Sequence, residues 1–342
     1  MLKYISLFFL LIISTAIKSQ VEIDVNVADT TVVSESYTDY SDQLLLKVMS
    51  VVKSNELEII NTNNQQSLKL APYGISSLGF GFNYKWLGLG MAFGLPASDA
   101  DIVKYGKTQR FDFQLNIYSK KFVIDAFAQH YRGFYVKNPE MLTTWNETFF
   151  PQRDSMQTFS IGVGGYYVFN NDKLSYKAAY VRNAVQKESA GSFLLGAFYN
   201  LDYAGFETGA NSYFVPDYFP TEVQDTFPLN AYSASSFGIS FGYTYTLVLG
   251  KRFFVNISLV PGVGGKNLTV HNKNNGELVK KRGAAARFIG RMALGYENKH
   301  FLIGLTSYST TGTFAFEGYQ IKPSTSNLKF FIAKRFNLRK KE

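Results

Sequence analysis

The 342-residue chain contains no cysteine. That excludes disulfide staples, thiolate metal sites and an acylated-cysteine lipoprotein anchor. Histidine is nearly absent too: His130, His271 and His300 lie far apart, so no pair has metal-ligating spacing. No carboxylate cluster matches a calcium loop. Beyond the first 19 residues no run of 18 apolar residues occurs, which excludes a helical membrane span in the rest of the chain. The glycine-rich stretches are not followed by helices, so they are not phosphate loops. No metal or cofactor is expected. The formal charge is +9, from 35 Lys and Arg against 26 Asp and Glu. Many of these cations stand in turns and at the tail, for example Lys120, Lys121, Lys251, Arg252, Arg339 and Lys340. No basic helix accompanies them, so nucleic acid is not an expected partner.

What is abundant is aromatic: 23 tyrosines and 31 phenylalanines, 16% of the chain with tryptophan. The stretch TQRFDFQLNIYSKKFVIDAFAQHYRGFY, from Thr108 to Tyr135, shows how they are used. Phe111, Phe113, Leu115 and Ile117 alternate with Arg110, Asp112, Gln114 and Asn116. Successive side chains of a strand point to opposite faces, so one face is apolar and the other polar. The turn Ser119-Lys120-Lys121 then leads into a second long segment. About 9–11 strand residues cross a bilayer. Strands that are apolar outside and polar inside, with short turns at one end, indicate a transmembrane β-barrel.

The pattern recurs along the chain. It is visible at 78–85, 87–95, 158–169, 236–246, 253–259, 284–296 and 328–336. Further strands are expected near 43–52, 174–185, 192–201 and 301–310. Short turns fall near 120, 171, 250 and 298, and long loops at 96–107, 136–155, 214–230, 265–282 and 312–325. In outer-membrane barrels the short turns are periplasmic and the long loops extracellular. The expected fold is therefore all-β: a transmembrane antiparallel barrel of about 12–14 strands.

Residues 1–19 have Lys3, then the apolar run from Ile5 to Ile13, then Ser14, Thr15, Ala16 and Ser19. That is the plan of a secretory signal peptide, with the mature chain beginning near Gln20. Residues 20–42, with some β-branched alternation at Val21, Ile23, Val25 and Val27, are expected to be an exposed periplasmic N-terminal segment, either an edge strand or plug-like lead-in or a disordered one. Residues 43–337 form the barrel, and 338–342 a basic tail.

If the alternation holds, Arg110, Asp112, Gln114, Asp125, Arg287 and Arg291 face the lumen. Inward charges could set the selectivity of a pore or pair across a filled lumen. A catalytic reading requires a serine such as Ser160 beside His130 on the neighbouring strand, facing the same way. The sequence otherwise offers no catalytic residue.

The segments GFGFNYKWLGLGMAFGLP, KYGKTQRFDFQLNIYSKKFVIDAFAQHYRGFY, AGSFLLGAFYN and GYTYTLVLGKRFFVNISLVPG resemble the domain-of-unknown-function 4421 family over roughly residues 40–336. The resemblance implies an exported outer-membrane barrel of a Gram-negative bacterium, with outer-membrane lipid and the barrel-assembly machinery as partners. It implies no catalytic residue and no substrate. Two functions remain open: a passive, porin-like channel or transporter of small or hydrophobic compounds, and a non-transporting barrel serving as surface scaffold or lipid-handling enzyme.

Overall fold

The computed structural model describes residues 19–26, 35–74, 76–206, 213–250, 252–272, 278–298 and 301–338. The proposed signal peptide lies outside them except for Ser19, as does most of the basic tail.

Among the described residues sixteen strands follow in chain order: β1 (Ser19–Asn26), β2 (Tyr37–Asp39), β3 (Leu44–Asn61), β4 (Gln66–Ala71), β5 (Ser76–Tyr84), β6 (Leu87–Gly94), β7 (Gln109–Tyr118), β8 (Phe122–Val136), β9 (Gln152–Val168), β10 (Ala184–Gln186), β11 (Ala190–Phe206), β12 (Leu229–Leu249), β13 (Phe253–Asn272), β14 (Leu278–Glu297), β15 (Phe301–Phe316) and β16 (Tyr319–Phe336). Three short α-helices, α1 (Asp99–Tyr105), α2 (Tyr176–Tyr180) and α3 (Thr221–Thr226), and a 3-10 turn at Pro139–Met141 lie in the described connections. Thirteen strands close a ring, sealed by pairing of β16 with β3 and of β7 with β8. The chain is a transmembrane β-barrel, as the alternation requires.

The period of two sorts every wall strand. On β12, Phe237, Ile239, Phe241, Tyr243 and Tyr245 are exposed on the outside. Their neighbours Ser236, Ser240, Thr244 and Thr246 are buried inside. Similar outward residues on β3, β9, β11, β13 and β16 make a continuous apolar belt. A soluble sheet would bury such a belt, whereas lipid is the solvent that favours it.

Three expectations need correction. Ser19–Asn26 is not a lead-in below the wall. It is β1, antiparallel to β6 and parallel to β7. Val21, Ile23 and Val25 share the outer face with Met91 and Phe113, so the segment gains burial only as a wall strand. Its insertion makes the strand number odd.

The polar stretches at 265–282 and 312–325 are not loops. β13 and β14 stay paired from Phe253↔Tyr296 to His271↔Leu278. β15 and β16 meet at Glu317 and Gly318, whose φ values of 37° and 80° fit a tight hairpin. These strand ends rise above the apolar belt, so their outer faces carry Lys280, Arg282 and threonines and the alternation vanishes.

The expected strand at 174–185 is instead α2, Arg182 and β10. Its apolar residues are buried on all sides within the barrel mouth, so no single greasy face exists. The turn near 171 is accordingly a connection of 21 residues, 169–189.

On one side the wall divides. β3 pairs with β4 above and β5 below, and β4 reaches β8 through Leu70↔Val136. Below that point β5, β6, β1 and β7 fill the wall. At the division β8 and β9 shift register between Arg132 and Phe134. Gly133 there has φ +83°, and a Cβ on it would lie 2.0 Å from the Lys107 carbonyl oxygen. Only glycine fits that approach.

Candidate functional site

The inner faces of the strands and two inward-folded connections build the lumen in three layers. At the long-loop end the lining is apolar. Leu57, Ile59, Tyr232, Leu268, Val270, Phe314 and Ile321 project inward from the walls. The connection after β11 folds onto them, burying Phe214, Val215, Phe219 and Phe227. α3 carries Val223 against the same cluster, and Trp145 from the β8–β9 connection packs on Phe219 with ring centroids 5.9 Å apart.

The middle layer is ionic. Lys53 Nζ lies 2.6 Å from Asp112 Oδ1, with side chains 5% and 0% exposed. The other Asp112 oxygen accepts from Gln129 Nε2 at 2.9 Å and Tyr131 Oη at 3.3 Å. Arg291 reaches from β14 to Asp125 on β8 and donates to Tyr118 Oη at 3.1 Å. Lys329 of β16 pairs with Glu22 of β1. Lys47 Nζ stands 3.5 Å from Asp24 Oδ2, and Asn116 Nδ2 donates to Asp24 Oδ1 at 2.9 Å. Arg110 is buried and donates to Ser77 Oγ. The ion pairs join strands that are not neighbours in the ring and so cross the interior, whereas Asn116–Asp24 and Gln129–Asp112 join paired neighbour strands.

At the short-turn end the connection 169–189 enters the mouth. Ser175 caps α2, its Oγ accepting from the Ala178 N–H at 3.3 Å. Gln186 ties the segment to itself, donating to the Lys173 carbonyl at 2.7 Å and accepting from the Ser175 N–H at 3.0 Å. Tyr180 Oη donates to Asn256 Oδ1 at 2.6 Å. β10 pairs with β2 and so anchors the segment after β1 to the same plug. Glu297 of β14 is held between Arg182 of the plug and Arg335 of β16. Arg335 also donates to the Arg182 carbonyl at 2.9 Å.

The space left between these layers is small. One cavity of about 90 Å³ is lined by Glu22, Gln114, Asp125, Arg291, Tyr308 and Lys329 among others. A second of about 40 Å³ includes Ser160, Asn200, Asp202, Arg287 and Thr310. Each exceeds the roughly 10–15 Å³ that one water needs, so both have room for several waters.

The structure thus brings five of the six sequence candidates, Asp112, Gln114, Asp125, Arg287 and Arg291, onto the interior polar layer, with Arg110 at its edge near Ser77. The partners Glu22, Asp24, Lys47, Lys53, Lys329 and Glu297 were missed. Glu22 and Asp24 do alternate with Val21, Ile23 and Val25, the same signal that marks the other strands. The Ser160–His130 pairing is overturned by register. Gln129 faces Ser160 and His130 faces Phe159, so serine and histidine lie on opposite faces of the wall. Ser160 Oγ instead donates to Asp202 Oδ1 at 2.8 Å, and His130 Nε2 lies 3.2 Å from Gln157 Oε1.

A family model described as "Domain of unknown function (DUF4421)" matches residues 29–336. No curated protein matches the chain. Among solved structures it is similar to the outer membrane protease OmpT from Escherichia coli, with 8% identity, a TM-score of 0.37, and coverage of 90% of this chain and 99% of that one. It is also similar to the translocator domain of autotransporter NalP from Neisseria meningitidis, at 7% identity and TM-score 0.32, covering 84% and 88%. The toluene transporter TodX from P. putida follows at 9% identity and TM-score 0.23, covering 88% and 94%. Likeness this loose transfers no activity.

Proposed function

This chain belongs to the DUF4421 family, and from that premise we propose that it is an outer-membrane β-barrel that is closed at rest and acts as a non-transporting surface scaffold. In this reading an N-terminal signal peptide exports the chain and the barrel-assembly machinery inserts it. The short turns and the α2 plug face the periplasm, and the paired strand ends of β13–β16 stand outside the cell.

One observation carries the proposal: a seal at each end of the lumen, with cross-barrel ion pairs between. The outer seal is an apolar cluster around Phe214 and Phe227. The inner one is the α2 segment, tied to the wall through Glu297. A porin that passes solutes needs a continuous water-filled lumen. The scaffold reading is favoured over lipid-handling catalysis because Ser160 and His130, the candidate nucleophile and base, stand on opposite faces of the wall.

A second reading, a passive channel for small or hydrophobic compounds, draws support from the seals being inward-folded connections rather than wall. Planar-bilayer recording of the folded chain separates the two. The scaffold reading expects no steady single-channel conductance. A steady ohmic conductance at low voltage would overturn it.

A further inference from the structure

Most interior cations have a carboxylate partner, but Arg287 has none. It is 8% exposed. Its Nε donates to Thr310 Oγ1 at 3.4 Å, and its guanidinium stacks over the Phe198 ring with the carbon 5.1 Å from the centroid. Its Nη1 is buried and has no protein acceptor. Asp202 lines the same cavity and feels the Arg287 charge through space, but its carboxylate accepts from Ser160 at 2.8 Å and no direct ion pair joins it to Arg287. A buried guanidinium without a counter-charge is costly, because burial removes the water that stabilised it.

A second orphaned donor stands beside it. Tyr166 is 3% exposed, and its buried hydroxyl has no protein partner either. Both groups converge on Gly164. A Cβ placed on Gly164 would lie 3.5 Å from Arg287 Nη1 and 3.7 Å from both Tyr166 Oη and the Ala197 carbonyl oxygen. Glycine therefore leaves a notch about one heavy atom deep between two donors. Arg291, on the same face of β14, adds a further positive charge to this part of the wall, though Asp125 takes its direct contact.

We propose that this notch binds a small monovalent anion of halide size. Arg287 Nη1 and Tyr166 Oη donate to it, and the missing side chain of Gly164 makes its room. The anion is the contacting counter-charge that Arg287 otherwise lacks. The site does not depend on whether the barrel conducts, because it sits in the wall lining and not along an open path.

The test uses the detergent-folded full chain at constant ionic strength. Thermal unfolding is followed while sodium gluconate is exchanged for sodium bromide, with sodium formate as a parallel arm. A ligand that binds only the folded state raises the midpoint with concentration. Bromide is expected to raise the wild-type midpoint progressively. Formate matching bromide would assign the notch to carboxylate groups instead and overturn the halide claim. Arg287→Gln is expected to abolish the bromide response. Gly164→Ala keeps the fold, since its Cβ meets its neighbours at ordinary contact distances, yet it fills the notch and should also abolish the response. In crystals of the wild type grown with bromide, an anomalous peak is expected within hydrogen-bond reach of both donors. A flat wild-type response, or an undiminished one in Gly164→Ala, would show that water alone satisfies these groups.

Discussion

Lys53 Nζ on β3 lies 2.6 Å from Asp112 Oδ1 on β7, and three strands of the ring, β5, β6 and β1, separate them. The pair therefore spans a chord of the barrel. Removing one partner from a buried pair strands the other charge, a loss on the order of 3–5 kcal/mol. Asp112→Asn should lower the denaturant midpoint of the folded barrel markedly. Replacing both members, as Lys53→Met with Asp112→Leu, should recover part of the loss, because no bare charge remains. Equal stability of wild type and Asp112→Asn would show that the pair is not buried in the folded chain.

Two adjacent positions on β7 test the facing of the wall. Phe113 shares the outer face with Val21, and Gln114 lines the interior cavity beside Arg291. Arginine at Phe113 would enter hydrocarbon, at a cost of about 2–4 kcal/mol near the midplane. Gln114→Arg enters a polar, partly open space and should cost much less. Heat-modifiable gel mobility and denaturant stability of the two variants should differ accordingly. Equal tolerance would remove the case for β7 as a membrane-spanning strand.

The N-terminal strand can be caught chemically, since the chain has no cysteine of its own. Val21 and Met91 are direct antiparallel partners on the outer face. Opposed residues in such a pair have Cα atoms about 4.5–5.5 Å apart, inside the range a disulfide bridges. Val21→Cys with Met91→Cys should therefore cross-link on mild oxidation of the folded barrel. The mismatched pair Val21→Cys with Phe241→Cys, on a distant strand, should not. Failure of the first pair alongside a normal barrel would return residues 19–26 to the periplasm.

The barrel itself was legible because lipid enforces alternation wherever a strand crosses it. Phe237, Ile239 and Phe241 announce themselves, and so do Arg287 and Arg291. The sequence went quiet where that constraint lapses. Above the belt the outward positions hold Lys280 and Arg282 while Leu268 and Val270 keep the inward face apolar, so the polar-in, apolar-out signal disappears. Inside the mouth, Tyr176 and Val181 are buried all round and mimic a strand while forming a helical turn. Which charge meets which was beyond the sequence for another reason. Lys53 and Asp112, or Lys329 and Glu22, are brought together only by closing the ring, and no local pattern encodes a chord.

The inner seal is the remaining element to challenge. Arg182 holds a left-handed backbone, φ 74°, which is unfavourable for a residue with a side chain. That conformation persists because its guanidinium reaches Glu297 and the Ala178 carbonyl, while its own carbonyl accepts from Arg335. Glu297 is the common partner. Glu297→Gln leaves Arg182 and Arg335 facing each other without a neutralising charge, so their repulsion should loosen the plug from the wall. The wall keeps its ladder, because the Glu297 side chain takes no part in backbone pairing. Ser258 reports the change: Tyr176 Oη of the plug stands 3.5 Å from its hydroxyl. A Ser258→Cys thiol should resist a water-soluble thiol reagent while Glu297 is present and react at least about tenfold faster in Glu297→Gln, since tenfold corresponds to about 1.4 kcal/mol of lost closure. Gel mobility checks that both variants remain folded barrels. Equal protection of the thiol in both would mean that α2 is held by its apolar and tyrosine contacts alone, and that the Arg182–Glu297–Arg335 cluster is not the latch.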